Sequence, residues 1–206
     1  MAESIVQINE GVGKKLHTFQ RTIGAQNVED EVVLLGENYL ATYNVNTAAG
    51  SILLTTATSH TLELMAGASL KVRVRRIEVY QMLMATAAAM CQWQLWRLTT
   101  AGTGGTAYTP APLDPADAAS GATAMSLPTV KGTESTLILN AASYIMQTVG
   151  ASTPLNEPIL VLDFDRPRSK PLIIPAGATN GIALKQVTGV AVASVFVNIL
   201  FDETSF

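Results

Sequence analysis

Residues Ser69–Leu83 read SLKVRVRRIEVYQML, and this stretch decides the fold. Leu70, Val72 and Val74 alternate with Lys71, Arg73 and Arg75, giving one apolar and one basic face at the two-residue period of a strand. At Arg75 and Arg76 two cations stand together, and Ile77 and Val79 resume the apolar series on the opposite parity. A β-bulge at that pair restores the facing, so the pattern predicts one long strand kinked at its middle.

Strand-like segments recur on either side of it. Tyr39–Val45, Ser51–Thr56 and Thr61–Met65 precede it, joined by the short turns Asn46–Gly50, Ala57–His60 and Ala66–Ala68 that antiparallel connections use. The alanine-bearing stretch Met82–Met90 reads equally as a short helix or a connecting turn. Gln92–Leu98 follows, aromatic and amphipathic, with Trp93 and Leu95 on one side, and is expected as a core strand. Further strands are expected at Thr136–Leu139, Tyr144–Thr148, Ile159–Phe164, Leu172–Ile174, Gly181–Gln186 and Val190–Asp202. The last is apolar on both parities, the mark of a strand covered on both faces.

Many short strands with almost no helix describe an all-β protein, an antiparallel sandwich or barrel. A chain of 206 residues suits one dominant domain. Residues 1–36, interrupted by Gly11, Gly13 and Gly24, are expected as an N-terminal arm with a short strand at Ile5–Ile8, ordered when laid on a neighbour. Residues 37–206 are the expected domain. Within it Thr99–Gly132 is a long excursion rich in Gly, Thr, Ala and Pro, expected as one long loop committed to an interface.

Composition points to surfaces rather than chemistry. Charged residues make up 14% of the chain, against roughly 25% in soluble domains, and mean hydropathy is +0.28. No run of about eighteen apolar residues is present, so no helical membrane span is expected and the cover for this surface is expected to be protein. A net charge of -3 argues against bulk affinity for nucleic acid. The polar, acidic Met1–Glu10 has no secretory pattern, and the lone Cys91 fits synthesis in a reducing cytoplasm.

Candidates for chemistry are few. His17 and His60 are far apart, lack cysteine partners at ligand spacing, and read as surface or turn residues. Cys91 reads as a small core residue beside Trp93. Asp163 and Asp165, followed by Arg166 and Arg168, could form a carboxylate pair for hydrolysis or a cation site, but the arginines favour an ion-pair network. Asp114 and Asp117 read as turn caps rather than calcium ligands. Gly102–Thr106 lacks the Lys-Ser/Thr of a phosphate loop and reads as a flexible hairpin or loop tip. The one basic cluster is Lys71, Arg73, Arg75 and Arg76, either a solvated strand face or a contact for an acidic partner. With Pro110, Pro112, Leu113, Asp114 and Pro115 of the excursion, these are the candidate interface residues. No catalytic, metal-ligating or cofactor-binding residue is expected.

Three segments carry a resemblance: Gln92–Thr103 (QWQLWRLTTAGT), Thr109–Asp117 (TPAPLDPAD), and Pro171–Gly177 (PLIIPAG) ahead of Asn180–Leu184 (NGIAL). Their order and wording are similar to a group of tailed-bacteriophage virion proteins of jelly-roll type, over roughly Leu70 to Glu203. The resemblance implies a capsid decoration or cement role, a trimer bound to the major capsid protein, residence in the virion, and no cofactor. It supplies no active-site residues. A tail or receptor-binding module that holds carbohydrate is the alternative on the same sandwich.

Overall fold

The computed structural model describes residues 17–23, 26–32, 40–47, 52–83, 85–146, 158–166, 170–190 and 192–204, with side chains described from Leu40 onward. The chain divides into two units. In the first, β1 (His17–Ile23) and β2 (Gln26–Val32) form an antiparallel hairpin, with His17 opposite Val32 and Ile23 opposite Gln26. The sequence reading expects no strand there, because acidic and polar residues such as Glu29, Asp30 and Glu31 dilute the apolar alternation. The expected strand at Ile5–Ile8 lies outside the described residues.

The second unit begins at Leu40. Its strands are β3 (Thr42–Asn46), β4 (Ile52–Leu53), β5 (His60–Met65), β6 (Lys71–Leu83), β7 (Ala89–Leu98), β8 (Thr106–Tyr108), β9 (Ala111–Pro112), β10 (Thr123–Ser126), β11 (Glu134–Ile145), β12 (Pro158–Asp163), β13 (Leu172–Ile174), β14 (Gly181–Gln186) and β15 (Ser194–Thr204). One sheet runs β12-β6-β15-β3-β9, with β13 also on β6 and β4 also on β15. The other runs β11-β7-β14-β5-β10-β8. All pairings are antiparallel, and the sheets pack face to face as a β-sandwich. With β4 and β8 to β10 set aside, the sheets read β12/β13-β6-β15-β3 and β11-β7-β14-β5, which is the jelly-roll order of two interlocked Greek keys.

The bulge expected in β6 is present. Leu200 of β15 pairs with Arg76 and Phe201 with Val74, so Arg75 is the extra residue. Val72, Val74, Ile77 and Val79 are consequently all buried, and both Arg75 and Arg76 stand off the core. From this sheet Val197, Ile199 and Phe201 meet Leu62, Leu64, Trp93, Leu95, Ile182 and Leu184 of the other. The buried Trp93 indole donates to Ser143 Oγ at 2.7 Å, which satisfies its one polar atom.

Of the two readings of Met82–Met90 the connection is what occurs: among its described residues there is no helix, β6 continues to Leu83, Ala85 donates its N–H to the Met146 carbonyl, and β7 starts at Ala89. Two segments depart from expectation. Thr136–Leu139 and Tyr144–Thr148 merge into the single β11, with register shifts near Leu137; Thr148 itself lies outside the described residues. The excursion Thr99–Gly132 is not one loop. Its β8 and β10 extend the second sheet beyond β5, and its β9 extends the first sheet beyond β3. Strands of two to four residues carry no readable period, and it is the partner edges that define them.

Candidate functional site

Buried carboxylates fasten the excursion to the sandwich. Glu63 on β5 is 1% exposed. Its Oε2 accepts the Gly102 N–H at 2.7 Å, and its Oε1 accepts the Gly132 N–H at 2.9 Å, so one side chain holds both stems. His60, fully buried, stands between Glu63 Oε1 at 2.6 Å from Nδ1 and Glu134 Oε1 at 2.9 Å from Nε2. Carboxylates only accept, so both contacts are complete when the imidazole carries both protons. Lys185 Nζ closes the chain on Glu134 at 2.8 and 3.0 Å while lying 5.4 Å from the Trp96 ring centroid. Burial pushes the Glu63 carboxyl up, but the His60 bond, the Gly132 and Gly102 N–H groups and the His60 charge outweigh it and leave it below its ordinary value. Burial likewise raises Glu134, and Lys185 and His60 together bring it below. Farther along, Glu203 accepts from Ser120 Oγ at 2.8 Å and from the N–H groups of Gly121 at 3.2 Å and Ala122 at 2.9 Å.

This corrects two expectations. His60 is neither a surface nor a turn residue: the excursion folds over the outer face of the second sheet and seals it. Gly102–Thr106 is not a free loop tip. A Cβ at Gly102 would lie 2.8 Å from the Glu63 carboxylate, and one at Gly105 would lie 2.3 Å from the Ser126 carbonyl oxygen, so close backbone approach is what these glycines provide.

The candidate interface residues come together on the first sheet. Its order β6-β15-β3-β9 puts the basic strand and the proline segment in one sheet, about 14 Å apart at the usual strand spacing, with Pro112, paired to the buried Tyr43, on the core side. The basic cluster is largely neutralised there. Asp202, fully buried, accepts Arg73 Nε and Arg75 Nε at 2.9 Å, Arg73 Nη2 at 2.5 Å and Thr42 Oγ1 at 2.9 Å. Arg75 also reaches Asp165 at 3.3 Å, Asp165 donates its N–H to Asp163 Oδ1 at 3.0 Å, and Arg76 pairs with Glu78. Asp165 is therefore ion-paired, to Arg75, while Asp163 caps the Asp165 N–H; Arg168 lies outside the described residues. Lys71 is exposed at the start of the strand. In the proline segment Pro110 is buried, Pro112 half-buried, and Leu113, Asp114 and Pro115 exposed. Leu113 donates its N–H to the Thr42 carbonyl at 2.8 Å, and Asp114 Oδ1 caps the Ala116 N–H at 2.9 Å, the turn-capping role expected of it.

Beside the charged end the same sheet turns an apolar field outward, which the sequence reading misses. Directly paired residues share a face, so Leu53, Ser194 and Leu83 form one row, Phe196, Tyr80 and Pro158 the next, and Asn198, Glu78 and Val161 a third. Leu53, Leu83 and Val161 are exposed, and Tyr80 and Phe196 stack with centroids 4.6 Å apart. The signal was present at Tyr80 and Phe196, apolar residues on the nominally polar parity of β6 and β15.

Chemistry finds little purchase. Among the described residues no group of His, Cys, Asp and Glu is arranged to hold a metal ion. Every oxygen of Glu63 and Asp202 is occupied by donors of the fold. Cys91 is fully buried, and burial raises its thiol to about 11, offset in part by the Thr188 contact. No family model, curated protein or solved structure matches this chain.

Proposed function

We propose that the chain is a structural virion protein of the bacteriophage capsid decoration or cement type, a homo-oligomer that binds neighbouring shell subunits. The single observation that carries a binding role is the outward apolar field of Leu53, Tyr80, Leu83, Val161 and Phe196, flanked on its own sheet by the charged network and the proline segment. A contiguous apolar patch rimmed by polar groups is the usual form of a protein contact surface. The phage setting rests on the segments Gln92–Thr103, Thr109–Asp117 and Pro171–Leu184. Binding only the assembled shell stabilises it by mass action, by RT ln(1 + [L]/Kd).

Sedimentation of the full chain tests self-association, with a trimer expected; replacing exposed Val161 and Leu83 by Glu should yield monomers with unchanged melting. A wild-type monomer at about 50 µM, where contacts of this kind hold, removes the oligomer. Electron cryo-microscopy of the particle tests placement. Ordered density between shell subunits supports the reading, and density at the tail alone overturns it. The stacked Tyr80–Phe196 pair beside Glu78 and Asn198 favours one second reading, a carbohydrate-binding module, since aromatic faces with polar neighbours hold sugars. Saturable binding on a glycan array, lost in Phe196→Ala, would select it.

A further inference from the structure

Along β7 the residues Cys91, Trp93, Leu95 and Arg97 share the face turned toward the opposite sheet. The first three are fully buried, and Arg97 falls where the sandwich ends. It bonds to the facing sheet through Nη1, which donates to the Ile173 carbonyl of β13. That bond uses one of the five N–H groups of a guanidinium, and the others meet no acceptor among the described residues. Arg73, Arg75 and Arg76 each pair with a carboxylate; Arg97 pairs with none among the described residues. Burial lowers its guanidinium below the ordinary value, although an arginine in a protein keeps its charge at neutral pH.

The guanidinium lines an open cavity of about 250 Å³, walled by Leu98, Ile173 and Pro175 and rimmed by Thr99 and Asn180. Asn180 Nδ2 is tied to the Ala176 carbonyl at 2.9 Å, which sets that rim. The space equals roughly eight waters at about 30 Å³ each, enough for a short acid or one acidic side chain. A half-buried cation without a counter-ion is costly, and a carboxylate meets its fork with two parallel bonds. We propose that this cavity is a carboxylate-binding site, in which Arg97 takes the anionic head of a ligand whose short aliphatic stem lies against Ile173 and Pro175. The site is independent of the function proposed above.

A free aliphatic acid and the acidic side chain of a docking polypeptide present the same chemistry, and two probes separate them. Ligand-observed NMR with the full chain would follow butyrate, the capped peptide acetyl-Ala-Glu-Ala-amide, and butyramide as the uncharged control at matched ionic strength. Saturable broadening of butyrate or of the peptide, without broadening of butyramide, is the expected result; the tighter binder identifies the source. Arg97→Met, which keeps the stem volume, should weaken binding about 10- to 100-fold, the loss of a charge-assisted pair. Arg97→Lys should fall between. Equal broadening by butyrate and butyramide, saturation by neither acid, or unchanged binding to a folded Arg97→Met protein would overturn the site. The amide control decides the matter in the wild-type protein even if the variant does not fold.

Discussion

His60 Nδ1 stands 2.6 Å from Glu63 Oε1, both side chains sealed beneath a segment that leaves β7 at Leu98 and returns at Glu134. Glu63 reaches across 39 residues to Gly102 and across 69 to Gly132. A carboxylate with this many donors costs little to bury, and removing it strands all of them.

Glu63→Ala should therefore destabilise the fold by about 3 kcal/mol or more, since a stranded buried donor costs about 1–3 kcal/mol. Glu63→Gln keeps one acceptor oxygen and should lose about half of that. Urea unfolding checks both, and amide exchange at Gly102 and Gly132 should accelerate in parallel. A loss under about 1 kcal/mol for the alanine variant would remove Glu63 as the clamp.

Acid should loosen the same region. Glu63 and Glu134 lie below the ordinary carboxylate value in the folded protein, so the unfolded chain protonates first as pH falls. Their contribution is whole above about pH 5, because the unfolded value is about 4.3, and is lost as pH falls through the folded values. The urea midpoint, followed from pH 7 to pH 3, should drop at the acid end, and the drop should shrink in Glu63→Gln. An unchanged acid limb in that variant would assign the drop elsewhere.

Asp202→Ala should cost about 2–3 kcal/mol, because Arg73, Arg75 and Thr42 lose a shared acceptor while the arginines, partly exposed, recover some hydration. Calorimetric melting reads this. Arg76→Ala, which breaks only an exposed pair with Glu78, should change little by comparison, within about 0.5 kcal/mol.

The Cys91 thiol, raised to about 11 by burial, leaves roughly one molecule in a thousand ionised at pH 8. A disulfide reagent should leave the native protein unmodified for hours and label it at once in denaturant. Fast labelling of the native chain would place Cys91 outside the core.

Local periodicity is legible wherever a strand is long and one-sided. Gly181–Gln186 is β14 to the residue, and the parity switch at Arg75 and Arg76 is the bulge opposite Leu200 and Phe201. His60 was not legible. Nothing in His60–Met65 says that a segment from beyond Leu98 will cover its outer face, nor that a register shift between Leu184 and Lys185 brings Lys185 opposite His60. The basic cluster was legible as charge but not as a neutralised network, because Asp202 lies 127 residues from Arg75.

By itself, then, the sequence determined the class of structure, the bulged central strand, the core position of Trp93 and the shortage of surface charge. These follow from side-chain alternation over a few residues, which the chain carries wherever it goes. Only the tertiary structure decided that the proline-bearing excursion is built into the edges of both sheets, that Glu63 holds its two stems, that Tyr80 and Phe196 join an outward apolar field, and that Arg97 ends the core beside a cavity without a carboxylate partner among the described residues. Each of these joins groups distant in sequence, and their contacts exist only once the strands and the excursion that carry them have been brought side by side.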